Sequence, residues 1–438
     1  MSSWKLHDRT AVSGWLQEQA DRNYRLWLFT VFAVVTGCFL FNLMLAFVNT
    51  NVARISENTV MLSEMTLLSV ALVLALDRRI SFYAVLFVYL TYIVLIMSLR
   101  PELDLKAIRD ILIPITFYFI GRNMRAIEDV DRLVFLCATL VISFGLFEML
   151  FLDVFTGIVN IFEYYVARGT LQPDDNYIEG SNLFISATRV GGRYFLPFLG
   201  DIRSSSVFLE PVTMGNFGAF LFLWATFRTH MRFRFILYAL AIVVIIMGDA
   251  RFGGYVCIAF LIVAPVYRLA PKFIWWALPF AITLILALYG SLTTETRWED
   301  NFPGRILNSA LLMQELSPAA VFGLDRTLPF LDDNGYAYTL GQIGIVGMLA
   351  LWTLFIYAPT KSDEAFKFKV LAATYVCLMF SVSNAFYSIK MAALFWIAAG
   401  AADNFLPGRQ ASTTVSETDR QKSRAEVIRE RLAYGQGR

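Results

Sequence analysis

Apolar runs recur along almost the whole chain, and no other feature restricts the fold as strongly. Many of them reach the ~20 residues that a helix needs to cross the hydrocarbon core of a bilayer. Backbone groups in lipid must be satisfied within the protein, so separate runs of this kind form helices. We predict about twelve spans, which lie at about 26–48, 59–76, 80–98, 105–121, 133–153, 206–227, 235–248, 252–267, 273–292, 337–358, 368–385 and 391–405.

The composition favours the same class, an all-α polytopic integral membrane protein. Of 438 residues, 57% are hydrophobic and 16% are charged, whereas soluble proteins carry about 25% charged residues. The net charge of +2 gives no reason to expect nucleic-acid binding. Four cysteines each lie inside an apolar run without metal-ligand spacing, so we expect buried packing thiols. They are Cys38, Cys137, Cys257 and Cys377.

Basic residues between the spans predict the orientation. Cytoplasmic loops carry an excess of Lys and Arg, and a cytoplasmic N-terminus puts every short basic connection on one side. Both ends are then cytoplasmic, and two long polar loops lie outside. The predicted segments are an N-terminal cytoplasmic segment 1–25, transmembrane helices 1–5 at 26–153, a first long periplasmic loop 154–205, transmembrane helices 6–9 with the central motifs at 206–292, a second long periplasmic loop 293–336, transmembrane helices 10–12 at 337–405 and a cytoplasmic tail 406–438. Within 1–25 we expect either a short helix on the inner membrane surface or an unstructured leader.

Three predicted spans begin at the outer face beside polar residues. A helix N-terminus has unpaired N–H groups and a partial positive charge, which attract anions. Arg203 and Ser205 precede the span at 206–227, and Arg251 precedes the span at 252–267. Asp333, Asn334 and Tyr336 precede the span at 337–358. Guanidinium groups suit phosphate oxygens, so we predict functional roles for Arg203 and Arg251 at these starts.

Other charged and small residues allow two readings. Arg168, Arg189, Arg193, Arg297, Arg305 and Arg326 also lie in the predicted outer loops, where acidic neighbours offer structural ion pairs and substrate offers another partner. Glu210 follows Arg203 by seven residues, and both would share one face if helix had begun by then. Tyrosines of the first loop suit either sugar rings or interfacial anchoring. Gly215 and Gly218 predict close helix packing.

Three short motifs between about 200 and 350 resemble those of one family. They are similar to segments of the Wzy-type polysaccharide polymerases in the O-antigen polymerase and ligase superfamily, particularly the xanthan-polymerase-like exopolysaccharide polymerases. The motifs are Arg203-Ser204-Ser205-Ser206-Val207-Phe208-Leu209-Glu210-Pro211, then Gly248-Asp249-Ala250-Arg251-Phe252-Gly253, and finally Phe322-Gly323-Leu324 with Asp333-Asn334-Gly335-Tyr336 and Gly341-Gln342-Ile343-Gly344-Ile345-Val346-Gly347.

The resemblance implies a GT-C-like fold and a membrane glycosyltransferase of the bacterial inner (plasma) membrane. A nascent glycan would move from undecaprenyl pyrophosphate onto a lipid-linked oligosaccharide repeat at the periplasmic face. Its implied partners are undecaprenyl-pyrophosphate-linked oligosaccharide, the lipid bilayer, a chain-length-regulating co-polymerase and export machinery. Arg203 and Arg251 would stabilise the leaving diphosphate, and a carboxylate would accept the proton of the attacking hydroxyl. The expected substrate-binding residues are Arg193, Arg297, Arg305, Arg326, Asn334, Tyr336 and Ser205.

The identity of the carboxylate stays open between several candidates. They are Glu210, Asp249, Asp325, Asp332 and Asp333. Asp333 lies where the ligases of the superfamily carry a histidine, so we rank it first as the base, with Glu210 as an arginine partner. No cofactor or metal is expected, since the predicted outer loops contain no Asp-x-Asp or histidine cluster.

Three alternative functions accompany the polymerase prediction. An O-antigen-ligase-like glycosyltransferase would need an outer histidine, but His7 and His230 both fall on the predicted cytoplasmic side. A lipid-linked oligosaccharide flippase or transporter suits about twelve spans, yet the two halves show no clear internal repeat. A non-catalytic scaffold would not need arginines at outward helix starts. The polymerase therefore explains the motifs best.

Overall fold

The computed structural model describes residues 4–77, 79–100, 105–176, 178, 180–188, 200–295, 302–325 and 334–407. Over these residues the chain forms helices and no strand, and one isolated bridge pairs Thr188 with Ile202. The predicted all-α class is therefore confirmed. The α-helices are α1 Trp4–Asn51, α2 Glu57–Ala75, α3 Ile80–Leu99, α4 Leu105–Asn123, α5 Ile127–Leu150, α6 Leu152–Ile158, α7 Ile161–Ala167, α8 Pro211–Phe227, α9 Arg234–Met247, α10 Arg251–Val266, α11 Lys272–Leu292, α12 Phe302–Glu315, α13 Pro318–Val321, α14 Gly335–Tyr357, α15 Asp363–Phe380 and α16 Ile389–Asp403.

Within the described ranges, six helices are long and apolar enough to cross a membrane. They are Gln17–Asn51 of α1, then α2, α3, α5, α11 and α14. The helices α9 and α10 are also apolar but have only 14 and 16 residues. The chain is thus a helical membrane protein, as predicted. Twelve spans, the two outer loops and the orientation of the ends remain predictions.

Three boundaries differ from those predicted. The predicted segment 1–25 and the first predicted span are not separate elements, because α1 runs as one helix from Trp4 to Asn51. The helix α8 begins at Pro211 and not near 206, because Ser206 and Leu209 take left-handed backbone angles with φ 49° and 61°. Proline suits the first helical position since its missing N–H would have no partner there. The second predicted loop contains α12, which packs along α11.

Glycines bring several helices into close contact. A methyl carbon on Gly121 of α4 would lie 2.0 Å from the Ile397 carbonyl oxygen of α16. One on Gly400 of α16 would lie 1.9 Å from the Tyr118 carbonyl oxygen. A methyl carbon on Gly218 of α8 would lie 2.7 Å from the Ile245 side chain of α9. Distances this short mean that only glycine fits, so the predicted packing role of Gly218 is confirmed. All four cysteines are buried and free, also as predicted.

Buried ion pairs join the helices at the predicted cytoplasmic end. Arg228, which follows α8, binds Asp131 of α5 at 2.7 Å. Lys369 of α15 binds Asp403 of α16 at 2.9 Å, and both side chains are almost fully buried. Each of these charges has an opposite partner, so burial does not leave it isolated. These pairs give the end a structural role.

Candidate functional site

The loop that precedes α8 is fixed to α5 by one buried carboxylate. Oε2 of Glu148 accepts hydrogen bonds from Ser204 Oγ, Ser205 N and Ser206 N, each at 2.7 Å. Glu148 has no exposed surface, and an isolated buried carboxylate would be costly without such donors. The Arg203 loop, residues 203–209, therefore has its conformation set by a side chain that lies more than 50 residues upstream.

Arg203 connects this loop to the turn between α9 and α10. Its Nε donates to the Gly248 carbonyl at 2.9 Å, and its Nη1 donates to the Ser186 carbonyl at 3.1 Å. Arg251 is the first residue of α10, three positions beyond Gly248. The first two motifs of the sequence, predicted separately, thus meet at one place. Two nitrogen donors of Arg203 bind backbone carbonyl groups there, so this arginine has a structural role in addition to any functional one.

The start of α10 lies directly against the first turns of α8. A methyl carbon on Gly253 would lie 2.7 Å from the Gly215 carbonyl oxygen, and one on Gly215 would lie 2.0 Å from Ala250 Cβ. This confirms the predicted packing role of Gly215. Asp249 forms the turn into α10 with φ 43° and is 4% exposed. The close crossing therefore fixes where Arg251 stands relative to α8.

The start of α14 belongs to the same end of the bundle. Tyr375, near the end of α15, donates its hydroxyl to the Asn216 carbonyl of α8 at 2.7 Å. Gly335, the first residue of α14, packs on Phe380, the last residue of α15. The three helix starts singled out in the sequence therefore lie at a common end, which we call the motif end of the bundle.

Asn334 and Tyr336 do not present polar groups at this end. Asn334 Oδ1 caps α14 by accepting from Tyr336 N at 2.9 Å and Ala337 N at 3.1 Å. Its Nδ2 donates to the Ser309 carbonyl, and the Tyr336 hydroxyl donates to the Cys377 carbonyl. Neither residue has exposed surface. We correct the substrate-binding assignment of this pair to a cap and a packing residue, because their polar atoms are already used.

Glu210 has a different partner from the one predicted. The side chain immediately precedes α8, where Oε1 lies 3.1 Å from Lys390 Nζ. It also accepts from the hydroxyls of Tyr165 and Thr213. Lys390 donates further to the Phe208 carbonyl at 3.2 Å. The expected shared helix face with Arg203 is wrong, because 203–210 is not α-helix, and a lysine from α16 takes the place of the predicted arginine partner.

A second set of charges lies near Glu210 and Lys390. Arg109 of α4 binds Glu64 of α2 and its neighbour Asp110, while Tyr338 of α14 donates to Asp110. Lys106 lies over the Tyr338 ring, 5.2 Å from its centroid. Glu64 also acts electrostatically on Lys390, which ties the two groups together. Charges from α2, α4, α8 and α16 therefore form one cluster within the motif end.

Arg168 also belongs to this cluster, because it interacts electrostatically with Glu64 and Glu210. It follows α7 and is half-buried, with its guanidinium 5.8 Å from the Tyr165 ring centroid. Burial, the largest single influence, lowers the pKa of Arg168, but the oxygens of Tyr164, Tyr165, Glu64 and Glu210 together raise it above the usual arginine value. Burial also raises the pKa of Tyr164 to about 12 although Arg168 lowers it. Arg168 is therefore a permanent cation.

Of the other predicted site residues, the structure describes two and leaves four outside the described ranges. Ser205 is buried, and its Oγ has no hydrogen-bond partner in the described part of the chain. Arg305 lies half-buried in α12. Arg193, Arg297, Arg326 and Asp333 lie outside the described residues. The described ranges contain no group of three or more His, Cys, Asp or Glu side chains that could hold a metal ion.

Glu148 and Lys390 were not among the predicted site residues, although the sequence contains a signal for both. Each is a single charge within or directly beside an apolar run. A charge in such a place is a functional suspect by default, and the same reasoning applies to Glu64. Their partners come from other helices, so a reading of one segment at a time does not reveal what they bind.

Comparison with protein-family models, with curated proteins and with solved structures finds no significant match.

Proposed function

We propose that this protein is a polysaccharide polymerase that acts on lipid-linked oligosaccharides at the outer face of a bacterial inner membrane. The observation that carries the proposal is the bond between Arg203 and the Gly248 carbonyl. It joins the Arg203 loop to the turn that leads into Arg251. Both motifs were singled out from the sequence for diphosphate chemistry, and their proximity supports one shared site.

The proposed reaction is a direct glycosyl transfer. A hydroxyl oxygen of the acceptor repeat attacks the anomeric carbon of the donor glycan, and the bond from that carbon to the diphosphate oxygen breaks. Undecaprenyl pyrophosphate leaves with the electron pair, and the acceptor proton passes to a carboxylate. Arg251 and the start of α10 supply positive charge where the diphosphate develops its negative charge. Arg203 shapes the same turn and adds its own charge.

Asp333 remains our proposed base. Glu210 accepts from Tyr165 and Thr213 and pairs with Lys390, which suits a structural or electrostatic role better than proton transfer. Asp333→Asn is expected to slow transfer while donor binding survives. Glu210→Gln is expected to weaken donor binding or folding instead, because it removes the charge that Lys390 needs. A normal rate for Asp333→Asn across the pH range would exclude Asp333 as the base.

The arginine assignment is tested by complementation of a deletion strain with Arg203→Ala and Arg251→Ala. We expect both variants to reach the membrane at normal levels and to form no long polymer. Lysine at either position should rescue poorly, since a single ammonium group cannot reproduce the two-pronged donor geometry. Arg54→Ala, an exposed arginine in the loop between α1 and α2, is the matched control. Normal polymer from both site variants would refute the assignment.

The same deletion strain separates a polymerase from a flippase. Loss of a polymerase leaves single lipid-linked repeats at the outer face of the membrane, whereas loss of a flippase leaves them at the inner face. Enzymatic digestion of the repeats from outside distinguishes the two cases. We expect digestion; protected repeats would favour the flippase.

A further inference from the structure

Three cations lie around the start of the apolar helix α9, and none of them forms an ion pair with a described residue. Arg232 lies in the link between α8 and α9, Arg234 is the first residue of α9, and Lys367 lies in the second turn of α15. Arg232 is exposed, whereas the other two side chains are half-buried. Arg132, at the same end of the bundle, binds Asp129 at 3.1 Å. The three cations therefore differ from such paired arginines.

The end of α8 holds two of these cations beside each other. Lys367 Nζ donates to the Thr226 carbonyl at 3.2 Å. Arg234 Nη1 donates to the Thr229 carbonyl, also at 3.2 Å. The Arg234 guanidinium lies 5.7 Å from the Tyr238 ring centroid, and the Tyr238 hydroxyl donates to Thr226 Oγ1. Each cation thus gives one N–H donor to backbone, and its other donors have no partner among the described residues.

Nearby acidic residues do not cancel the positive charge. Arg234 repels Lys367, whereas Glu364 in the preceding turn of α15 attracts it. Arg228, which follows α8, is already shared by two carboxylates of α5. Even when these two carboxylates are counted, the cations of this surface outnumber the acids among the described residues. The first turn of α9 contains no acidic residue. Like charges held together in this way repel, so the surface favours an anion.

Exposed apolar side chains beside the cations indicate that lipid surrounds them. Phe233, Phe235 and Ile236 are 51%, 76% and 50% exposed. The Arg232 guanidinium lies 5.3 Å from the Phe233 ring centroid, and that of Arg234 lies 5.3 Å from the Phe235 ring centroid. Such contacts hold a planar guanidinium against an apolar ring and leave its N–H edge directed at phosphate oxygens. The surface therefore combines apolar contacts with charged donors.

We infer that Arg232, Arg234 and Lys367 bind the phosphate of an anionic phospholipid whose acyl chains lie along the exposed face of α9. Basic clusters beside a membrane segment attract anionic lipids. With 14 residues, α9 is about 21 Å long and shorter than the hydrocarbon core of about 30 Å, so basic residues at its end reach the headgroups. Arg203 binds the carbonyl just beyond the other end of α9, so this lipid site is independent of the proposed function.

Native mass spectrometry of the purified protein in a non-ionic detergent tests the site with dioctanoyl phosphatidylglycerol. Dioctanoyl phosphatidylcholine, which has the same chains and no net charge, is the reference ligand. We expect the wild type and the control Arg132→Ala to prefer phosphatidylglycerol equally. Arg232→Ala, Arg234→Ala and Lys367→Ala should each weaken its binding about fivefold and leave phosphatidylcholine binding unchanged. Equal binding of both lipids to the wild type would overturn the lipid site, as would an unchanged preference in the Arg234→Ala/Lys367→Ala double variant.

Thermal unfolding provides a second readout. Phosphatidylglycerol should raise the melting temperature of the wild type and of Arg132→Ala more than phosphatidylcholine does, and the double variant should lose this difference. If the double variant does not fold, Arg232→Ala decides the matter, because its side chain is exposed and its loss leaves the fold intact. A lipid preference that stays at the wild-type level in Arg232→Ala then contradicts the site.

Inorganic phosphate distinguishes a lipid from a free anion. At equal concentration it should not displace phosphatidylglycerol, because it lacks the chains that contact Phe235 and Ile236. Displacement at equal concentration would show a site for free phosphate and overturn the lipid assignment.

Discussion

Among single residues, Glu148 fixes the Arg203 loop at the motif end. One of its oxygens accepts from three consecutive residues of the Arg203 loop. The other oxygen is buried and has no partner among the described residues. The serine run Ser204-Ser205-Ser206 therefore serves as a donor set for a buried carboxylate, through one hydroxyl and two backbone N–H groups. Ser206 Oγ donates to the Val141 carbonyl, and Ser205 Oγ is buried without a partner among the described residues, so substrate binding by Ser205 stays a prediction.

Glu148→Ala is expected to destabilise the protein by about 3 kcal/mol or more, because three buried donors lose their acceptor at once. Glu148→Gln keeps one oxygen acceptor and should lose roughly half as much. Thermal unfolding in detergent measures both, and Glu163→Ala is the control because that side chain is exposed in the neighbouring α7. Equal melting temperatures for wild type and Glu148→Ala would contradict the role.

At the scale of secondary-structure elements, the crossing of α8 and α10 determines the geometry of the site. Gly253 faces the Gly215 backbone, whereas a methyl carbon at Gly254 would meet no atom within 4 Å. These neighbouring glycines provide a matched pair. Gly253→Ala is expected to push α10 away from α8, lower the melting temperature and reduce polymer formation. Gly254→Ala should be neutral or stabilising by about 0.5–1 kcal/mol, since alanine favours helix. Similar losses in both would show that the crossing is not tight.

Apolar run length was enough to predict most of the elements. The runs at 235–248 and 252–267 correspond to α9 Arg234–Met247 and α10 Arg251–Val266. The predicted start of α8 was wrong because left-handed backbone angles, as at Ser206 and Leu209, do not change the hydropathy pattern. The helix α12 was not predicted because an amphipathic helix within a polar segment produces no long apolar run. Lys390 as the partner of Glu210 lies 180 residues away, and no local pattern encodes such a pair.

At the scale of the whole molecule, the orientation of the bundle is the prediction on which every outer-face argument depends. The native cysteines are all buried, so an introduced exposed cysteine can be labelled against a low background. Thr170→Cys, just after α7, should react with a membrane-impermeant maleimide in intact cells. Arg232→Cys, between α8 and α9, should react only after the membrane is opened. Both positions are exposed, and the opposite labelling pattern would invert the topology.

Polymer formation by this protein can be followed in a single reaction with purified components. Purified protein in detergent is incubated with a single lipid-linked repeat, and the products are separated by size. We predict a ladder whose members differ by one repeat, with one undecaprenyl pyrophosphate released for each bond formed, and no ladder from Arg251→Ala. A folded wild-type protein that leaves the repeat unchanged, or that transfers it only to a different class of acceptor, would contradict the proposed function.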